Sequence, residues 1–231
     1  MSAREDILTS IRRSLGVTGN EAPRQRAVSD RLSGHPSGVM VARGHLNPRE
    51  RLDLFTAQAE SVQATVARVT RADDVPSEVS SYLRARNLPA SLRRGADPRL
   101  AAMPWAATLL HMSEGPSAGD DLNAISYGFA GIAETGTTIM LSGPDNPTTL
   151  NFLPDNHVVV IDANDIVADH EAVWERLRSK MGTGEMPRTL NMITGPSRSG
   201  DIEQTMLLGA HGPRALHIIL IDKDFVAEAP Q

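Results

Sequence analysis

Two short apolar runs, Val158-Val-Val-Ile161 and Leu216-His-Ile-Ile-Leu-Ile221, constrain this 231-residue chain more than any other feature. Each is nearly continuous, too short for a helix and bounded by turn residues, the pattern of a strand buried on both faces. Ile139-Met-Leu141 is a third such run and Leu190-Asn-Met-Ile-Thr194 a weaker fourth. Between them, Asp169–Met181 reads as a helix with Val173, Trp174 and Leu177 inward, and a shorter helix is expected from about Asp201 to Leu208. Strands alternating with helices predict an α/β fold, an open and mostly parallel sheet with helices on both faces. Ligands of such sheets bind beyond the carboxyl ends of the strands, where loops lead into helices.

Ahead of Ser126 the pattern is helical instead. Ala3–Leu15 is amphipathic, with Ile7, Leu8, Ile11 and Leu15 on one side and Gly16 as a stop. Residues 17–46 are polar and broken by Pro23, Gly34, His35-Pro36 and Ser37-Gly38, so they read as a linker or flexible arm. Asn47-Pro48-Arg49-Glu50 opens a second helix with Asn as N-cap and Pro in the first helical position, and that helix is expected to reach about Ala67. Pro76–Arg86 is a third, with Val79, Tyr82 and Leu83 inward, and Thr108–Met112 is a short strand candidate. The resulting division is an N-terminal helix and arm over 1–46 and an α/β domain over 47–231.

Composition narrows the chemistry. The chain has no cysteine, so it holds no disulfide, thiolate nucleophile, Cys-ligated zinc or cysteine-held iron–sulfur cluster. Redox work would need an organic cofactor, whose identity stays open, a His/carboxylate metal site or a partner protein. The seven histidines show no H-x-x-H or H-x-x-x-H spacing, so no metal site is expected. A net charge of −5 disfavours a nucleic-acid partner. The N-terminus carries charges where a signal peptide would be apolar, and no apolar run approaches the ~18 residues of a membrane span. A cytoplasmic protein without membrane attachment is the expectation.

Two glycine-rich turns gather the polar chemistry. In Gly131-Ile-Ala-Glu134-Thr135-Gly136-Thr137, a lone carboxylate is flanked by hydroxyls and by a glycine that permits a close backbone approach. Glu134 could act as base, nucleophile or acceptor there, or cap the backbone of a tight hairpin. In Gly195-Pro-Ser197-Arg198-Ser-Gly200-Asp201-Ile-Glu203, a turn leads into the expected helix. Its N-terminal N–H groups, with Ser197 and Arg198, would cradle a phosphate or carboxylate. Asp201 and Glu203 in the first turn could instead satisfy those groups without a ligand. The loop Ser142–Pro147, running on to Leu150–Pro154 and His157, is expected to form the lip of the same crevice. His157 opens a buried strand, where a hydrogen-bonded structural histidine is expected; His211, in Gly209–Pro213, could bond backbone or ligand.

Four ordered segments carry a resemblance. Ile132–Thr138, Leu153–Val160, Ile193–Gln204 and Leu208–Arg214 resemble the LUD domain of lactate-utilization proteins, closest to the small lactate-utilization protein C (LutC/YkgG) branch, over roughly Asn47–Asp222. The resemblance implies a NagB/RpiA/CoA-transferase-like sheet and a part in oxidising L-lactate to pyruvate beside two cysteine-rich iron–sulfur partner proteins. Matching site positions are Glu134, Thr135, Gly136, Thr137, Gly195, Ser197, Arg198, Asp201 and Glu203. The expected function is therefore a subunit that binds a small carboxylate or phosphate between the turns, with Arg198 pairing to it and Glu134 as acid/base or orienting acceptor. Two alternatives stand beside it: a separate CoA-transferase- or isomerase-like enzyme using Glu134, and a non-catalytic assembly factor docking through Ala3–Leu15. A homo-oligomer is left open.

Overall fold

The computed structural model describes residues 2–38, 42–182, 184–200 and 206–224. The chain divides into two compact units, Met1–Met40 and Val41–Gln231. In the first, α1 (Ala3–Leu15) begins with a capping box in which Ser2 accepts from the Glu5 N–H and Glu5 accepts from the Ser2 N–H; Gly16 ends it in the left-handed region. Where an arm was expected, a second helix forms, α2 (Ala22–Gly34). Pro23 lies in its first turn, where a missing N–H costs nothing, so a residue read as a breaker is a helix starter. Ile7, Ile11 and Leu15 of α1 and Val28 and Leu32 of α2 are exposed.

The second unit opens with α3 (Pro48–Ser61), whose N-cap Asn47 accepts from the Glu50 N–H at 3.0 Å. This helix stops before Ala67 because Gln63 takes a positive φ of 71° and the β-branched Thr65-Val66 start strand β1 (Thr65–Val69). There follow α4 (Val75–Ala85), β2 (Ser91–Arg94), the single turn α5 (Pro98–Ala101), β3 (His111–Glu114) and β4 (Asn123–Tyr127). Then come the hairpin strands β5 (Ala130–Ile132) and β6 (Thr137–Leu141), then β7 (Asn156–Asp162) and β8 (Ile166–Val167). Last come α6 (His170–Met181), β9 (Leu190–Ile193), β10 (Arg198–Gly200), β11 (Met206–Leu208) and β12 (Ala215–Ile221).

The two defining runs are neighbours at the heart of a six-stranded, wholly parallel sheet in the order β1-β12-β7-β4-β2-β3. Alternate residues serve opposite faces. Val158 and Val160 of β7 join Ile219 and Ile221 of β12 against Val79 and Leu83 of α4. Val159 and Ile161 join Ile218 and Leu220 against Leu52 and Phe55 of α3. Complete burial of a branched side chain stabilises by roughly 1.5–3 kcal/mol, so both faces of these strands are firmly specified.

Two features depart from the sequence reading. Ile139–Leu141 and Leu190–Ile193 do not join the parallel sheet; they pair antiparallel in a second sheet, β8-β5-β6-β9. That sheet shares the α3 face of the core through Ala133, Met140 and Ile166. Continuous apolar runs report burial on both faces, not the sheet or direction in which a strand pairs. Second, of the helix expected from about Asp201 to Leu208, residues 201–205 lie outside the described residues, and Met206–Leu208 instead pair antiparallel with Arg198–Gly200. Ser199-Gly200 is a poor helix start, and the hairpin supplies backbone partners that a helix would otherwise provide.

Candidate functional site

The first glycine-rich turn links β5 to β6. Gly136 has φ of 66°, and a Cβ there would lie 2.3 Å from the backbone N of Ala59. Its glycine is therefore required for packing against the end of α3. Thr135 Oγ1 lies 2.7 Å from Thr137 Oγ1, which lies 2.7 Å from Thr194 Oγ1, so these hydroxyls bond one another and tie the two turns together. The Glu134 N–H donates to the Ala168 carbonyl at 3.2 Å, and its own carbonyl accepts from Arg43. The half-exposed Glu134 carboxylate has no hydrogen-bond or ion-pair partner among the described residues.

The second turn rests on the same helix end. Gly195 has φ of 73°, and a Cβ would meet the Val62 carbonyl oxygen at 2.4 Å. Ser197 then staples this turn to the segment before β12. Its N–H donates to the Pro213 carbonyl at 2.8 Å, its carbonyl accepts from the Gly209 N–H at 3.0 Å, and its Oγ accepts from the His211 N–H at 3.3 Å. Arg198 and His211 are exposed at its rim. Asp201 and Glu203 lie outside the described residues.

These residues surround a cavity of about 250 Å³ whose lining includes Gly195, Ser197, Arg198, His211, Asn151 and His157. Glu134, Thr135, Gly136 and Thr137 do not line it. The cavity lies by the amino-terminal ends of β7 and β12, since His157 and Leu216 are each the second residue of their strands. Two polar residues of that lining, Asn151 and His157, are wholly buried. Ser126 Oγ lies 3.0 Å from His157 Nε2 and 3.5 Å from Asn151 Oδ1, while His157 Nδ1 and Asn151 Nδ2 find no partner. Burial pushes the His157 imidazole down to about 3, which keeps it neutral near pH 7. Buried polar atoms left unpaired cost about 1–3 kcal/mol each, and Asn123 Oδ1 and Asn146 Oδ1 are others among the described residues.

Of the expected lip, Asn151, Phe152 and His157 do line this cavity. Ser142, Gly143, Asp145 and Asn146 line a different cleft of about 540 Å³, beside the carboxyl end of β4. There Arg99 pairs with Asp97 at 2.7 Å, Arg176 pairs with Asp165, and the Arg99 guanidinium stacks 3.7 Å from the centre of the Tyr127 ring. Burial pushes the Tyr127 hydroxyl up to about 12. Sequence reasoning missed Ser126; the available signal was a small polar residue inside an apolar run, Ala124-Ile-Ser-Tyr127. Among the described residues, no three His, Asp or Glu side chains are placed to share a metal ion, and no helix is long and apolar enough to cross a membrane.

Strands β4 to β12 and the two turns fall within the segment matched by the LUD domain family, residues 122–221. The chain thus carries a segment similar to the LUD domain. Its sequence is 36% identical to lactate utilization protein C of Halalkalibacterium halodurans over 94 residues, which is 40% of this chain and 41% of that protein. It is also 23% identical over 244 residues to the uncharacterized protein YkgG of Escherichia coli K12, covering 96% of this chain and 100% of that one. The chain spans less than half the length of the first curated relatives it matches, 46% and 41%. A crystal structure of a DUF162 family protein from Deinococcus radiodurans shares the fold, with a TM-score of 0.56 at 22% identity over 76% of this chain and 98% of that one.

Proposed function

We propose that this chain is a component of a lactate-utilization system and binds a small carboxylate or phosphate anion in the Gly195–His211 cavity. The observation supporting this reading is one cavity whose lining brings the exposed Arg198 and the Ser197 hydroxyl together with the wholly buried Asn151 and His157. A guanidinium pairs with a carboxylate through charge-assisted hydrogen bonds, and a neutral, dry base leaves room for the uncharged part of the ligand. The relatives named lactate utilization protein C supply the pathway. Oxidation of L-lactate to pyruvate releases two electrons and two protons. A chain without cysteine would pass those electrons to iron–sulfur partner proteins, or to a cofactor it shares with them.

Glu134 lies outside the cavity lining, which weighs against its acting as nucleophile on a ligand bound there. Calorimetric titration of the purified chain with L-lactate and with inorganic phosphate tests the ligand part. Binding of at least one, weakened about tenfold by Arg198→Gln, is the expected result. Unchanged affinity in the variant would remove Arg198 from the site, and no heat with either anion at millimolar concentration would remove the site itself.

A further inference from the structure

The strand order creates a crevice that the Gly195–His211 cavity does not use. From β4 the chain steps to β7 and β12 on one side, and from β2 to β3 on the other, so the connections diverge between β4 and β2. Ligands of open parallel sheets bind beyond the carboxyl ends of the strands at such a point. The cleft of about 540 Å³ lies there: Asp97 and Arg99 come just after β2, Tyr127 is the last residue of β4 and Phe129 follows it. Its walls are tied together, since the Ala96 N–H donates to the Pro144 carbonyl at 3.0 Å. A Cβ at Gly95 would lie 2.0 Å from the Asp145 carbonyl oxygen, so these two loops meet without a gap.

Within this cleft Arg99 is held as a flat plate. Its Nε and Nη2 donate to Asp97 at 3.1 and 2.7 Å, and Asp97 is buried. Its guanidinium lies 3.7 Å from the centre of the Tyr127 ring, yet half of the side chain, 51%, stays exposed. With its charge and its Nε–Nη2 edge matched by a buried carboxylate, this guanidinium offers a ligand its outer face. Guanidinium faces are weakly hydrated and stack on planar rings. An anion gains little here, because Asp97, Asp145 and Asp165 balance Arg99, Arg176 and Lys180 around the lining. We propose that the cleft is a second ligand site, taking an uncharged planar nitrogen heterocycle stacked on the outer face of Arg99. The ring forms the third layer of a stack whose other two layers, Arg99 and Tyr127, are fixed before it arrives, so little ordering opposes binding. Phe129 adds apolar surface to the same lining, and the volume leaves room for a substituent such as a ribose.

Two uncharged probes test the site on the full chain: adenosine for a purine ring and riboflavin for a larger, tricyclic one. D-Ribose, which has no aromatic ring, is the control. Calorimetry with adenosine and ribose, and the fluorescence of riboflavin itself, should show at least one heterocycle bound and no heat from ribose; which of the two binds assigns the ring class. Arg99→Lys keeps a cation beside Asp97 but removes the plane, and should weaken that binding about tenfold. Binding of neither heterocycle at about 1 mM adenosine and about 0.1 mM riboflavin would overturn the site. Ribose binding as well as adenosine would overturn the stacked ring, and so would an affinity that Arg99→Lys leaves unchanged. Should that variant fail to fold, nitrogen-15 spectra of the native chain decide: the ring current of a stacked heterocycle shifts the Arg99 Nε–H resonance, and a resonance unmoved at saturation sinks the inference.

Discussion

The cavity at the amino ends of β7 and β12 and the cleft beside the carboxyl end of β4 are opposite solutions to burying polar groups. In the cleft, Arg99 and Arg176 are already matched by Asp97 and Asp165, and Tyr127 is covered by a guanidinium. Little there calls for an added anion, since paired charges in a partly buried site are close to electrostatic balance. Each lining has a residue with an unpaired buried polar atom, Asn146 in the cleft and Asn151 and His157 at the cavity, but among the described residues Arg198 has no carboxylate partner. Position in the fold points to the carboxyl ends. The unmatched Arg198 guanidinium favours the amino ends for the anion site we propose, since function is argued from side-chain chemistry and not from position in a fold.

The comparison is most easily broken at glycine. Gly195→Ala in the cavity wall would force a Cβ to 2.4 Å from the Val62 oxygen at a positive φ, whereas nothing lies within 4 Å of a Cβ at Gly143 in the cleft. Chemical denaturation should show a loss of about 3 kcal/mol for Gly195→Ala and a change within about 0.5 kcal/mol for Gly143→Ala. Similar values for both would mean that the second turn does not rest on α3.

A smaller effect comes from His157. Its folded value of about 3 lies below the ordinary 6.5, so between these values the unfolded chain binds a proton that the folded chain does not. Stability is therefore full above about pH 6.5 and falls as the pH drops toward 3, by about 2 kcal/mol from pH 6.5 to 5. Denaturation midpoints measured over that range should show this slope in the native chain and its reduction in His157→Asn. An unchanged slope in the variant would put the titration elsewhere. The smallest effect is expected in the cleft: Lys180→Gln and Arg176→Gln should alter L-lactate affinity by less than about twofold. A tenfold loss in either would move the anion site to the carboxyl ends.

Much of the fold was legible because burial leaves a direct trace in composition. Val158–Ile161 and Leu216–Ile221 read as doubly buried strands and are adjacent in the parallel sheet. Ala3–Leu15 and the Asn47-capped helix were legible from their caps. The hairpin of Arg198–Gly200 with Met206–Leu208 was not, since three-residue strands carry no periodicity and their partners are set by distant packing. At the candidate site, Ser197, Arg198, Gly195 and His211 line one cavity. Glu134 and the threonines do not, because the adjoining glycine, Gly136, serves the backbone of α3 and those hydroxyls bond one another.

Sequence alone determined which segments are buried, the helix cap at Asn47 and the stop at Gly16, and the absence of any thiolate for a cluster. These depend on residue chemistry and on spacing over a few residues. Tertiary structure decided that two glycine-rich turns lean on the end of α3, and that Ser126, Asn151 and His157, from three separate segments, meet in one buried relay. A hydrogen bond forms only where chain topology brings donor and acceptor within about 3 Å, and no local pattern encodes that distance.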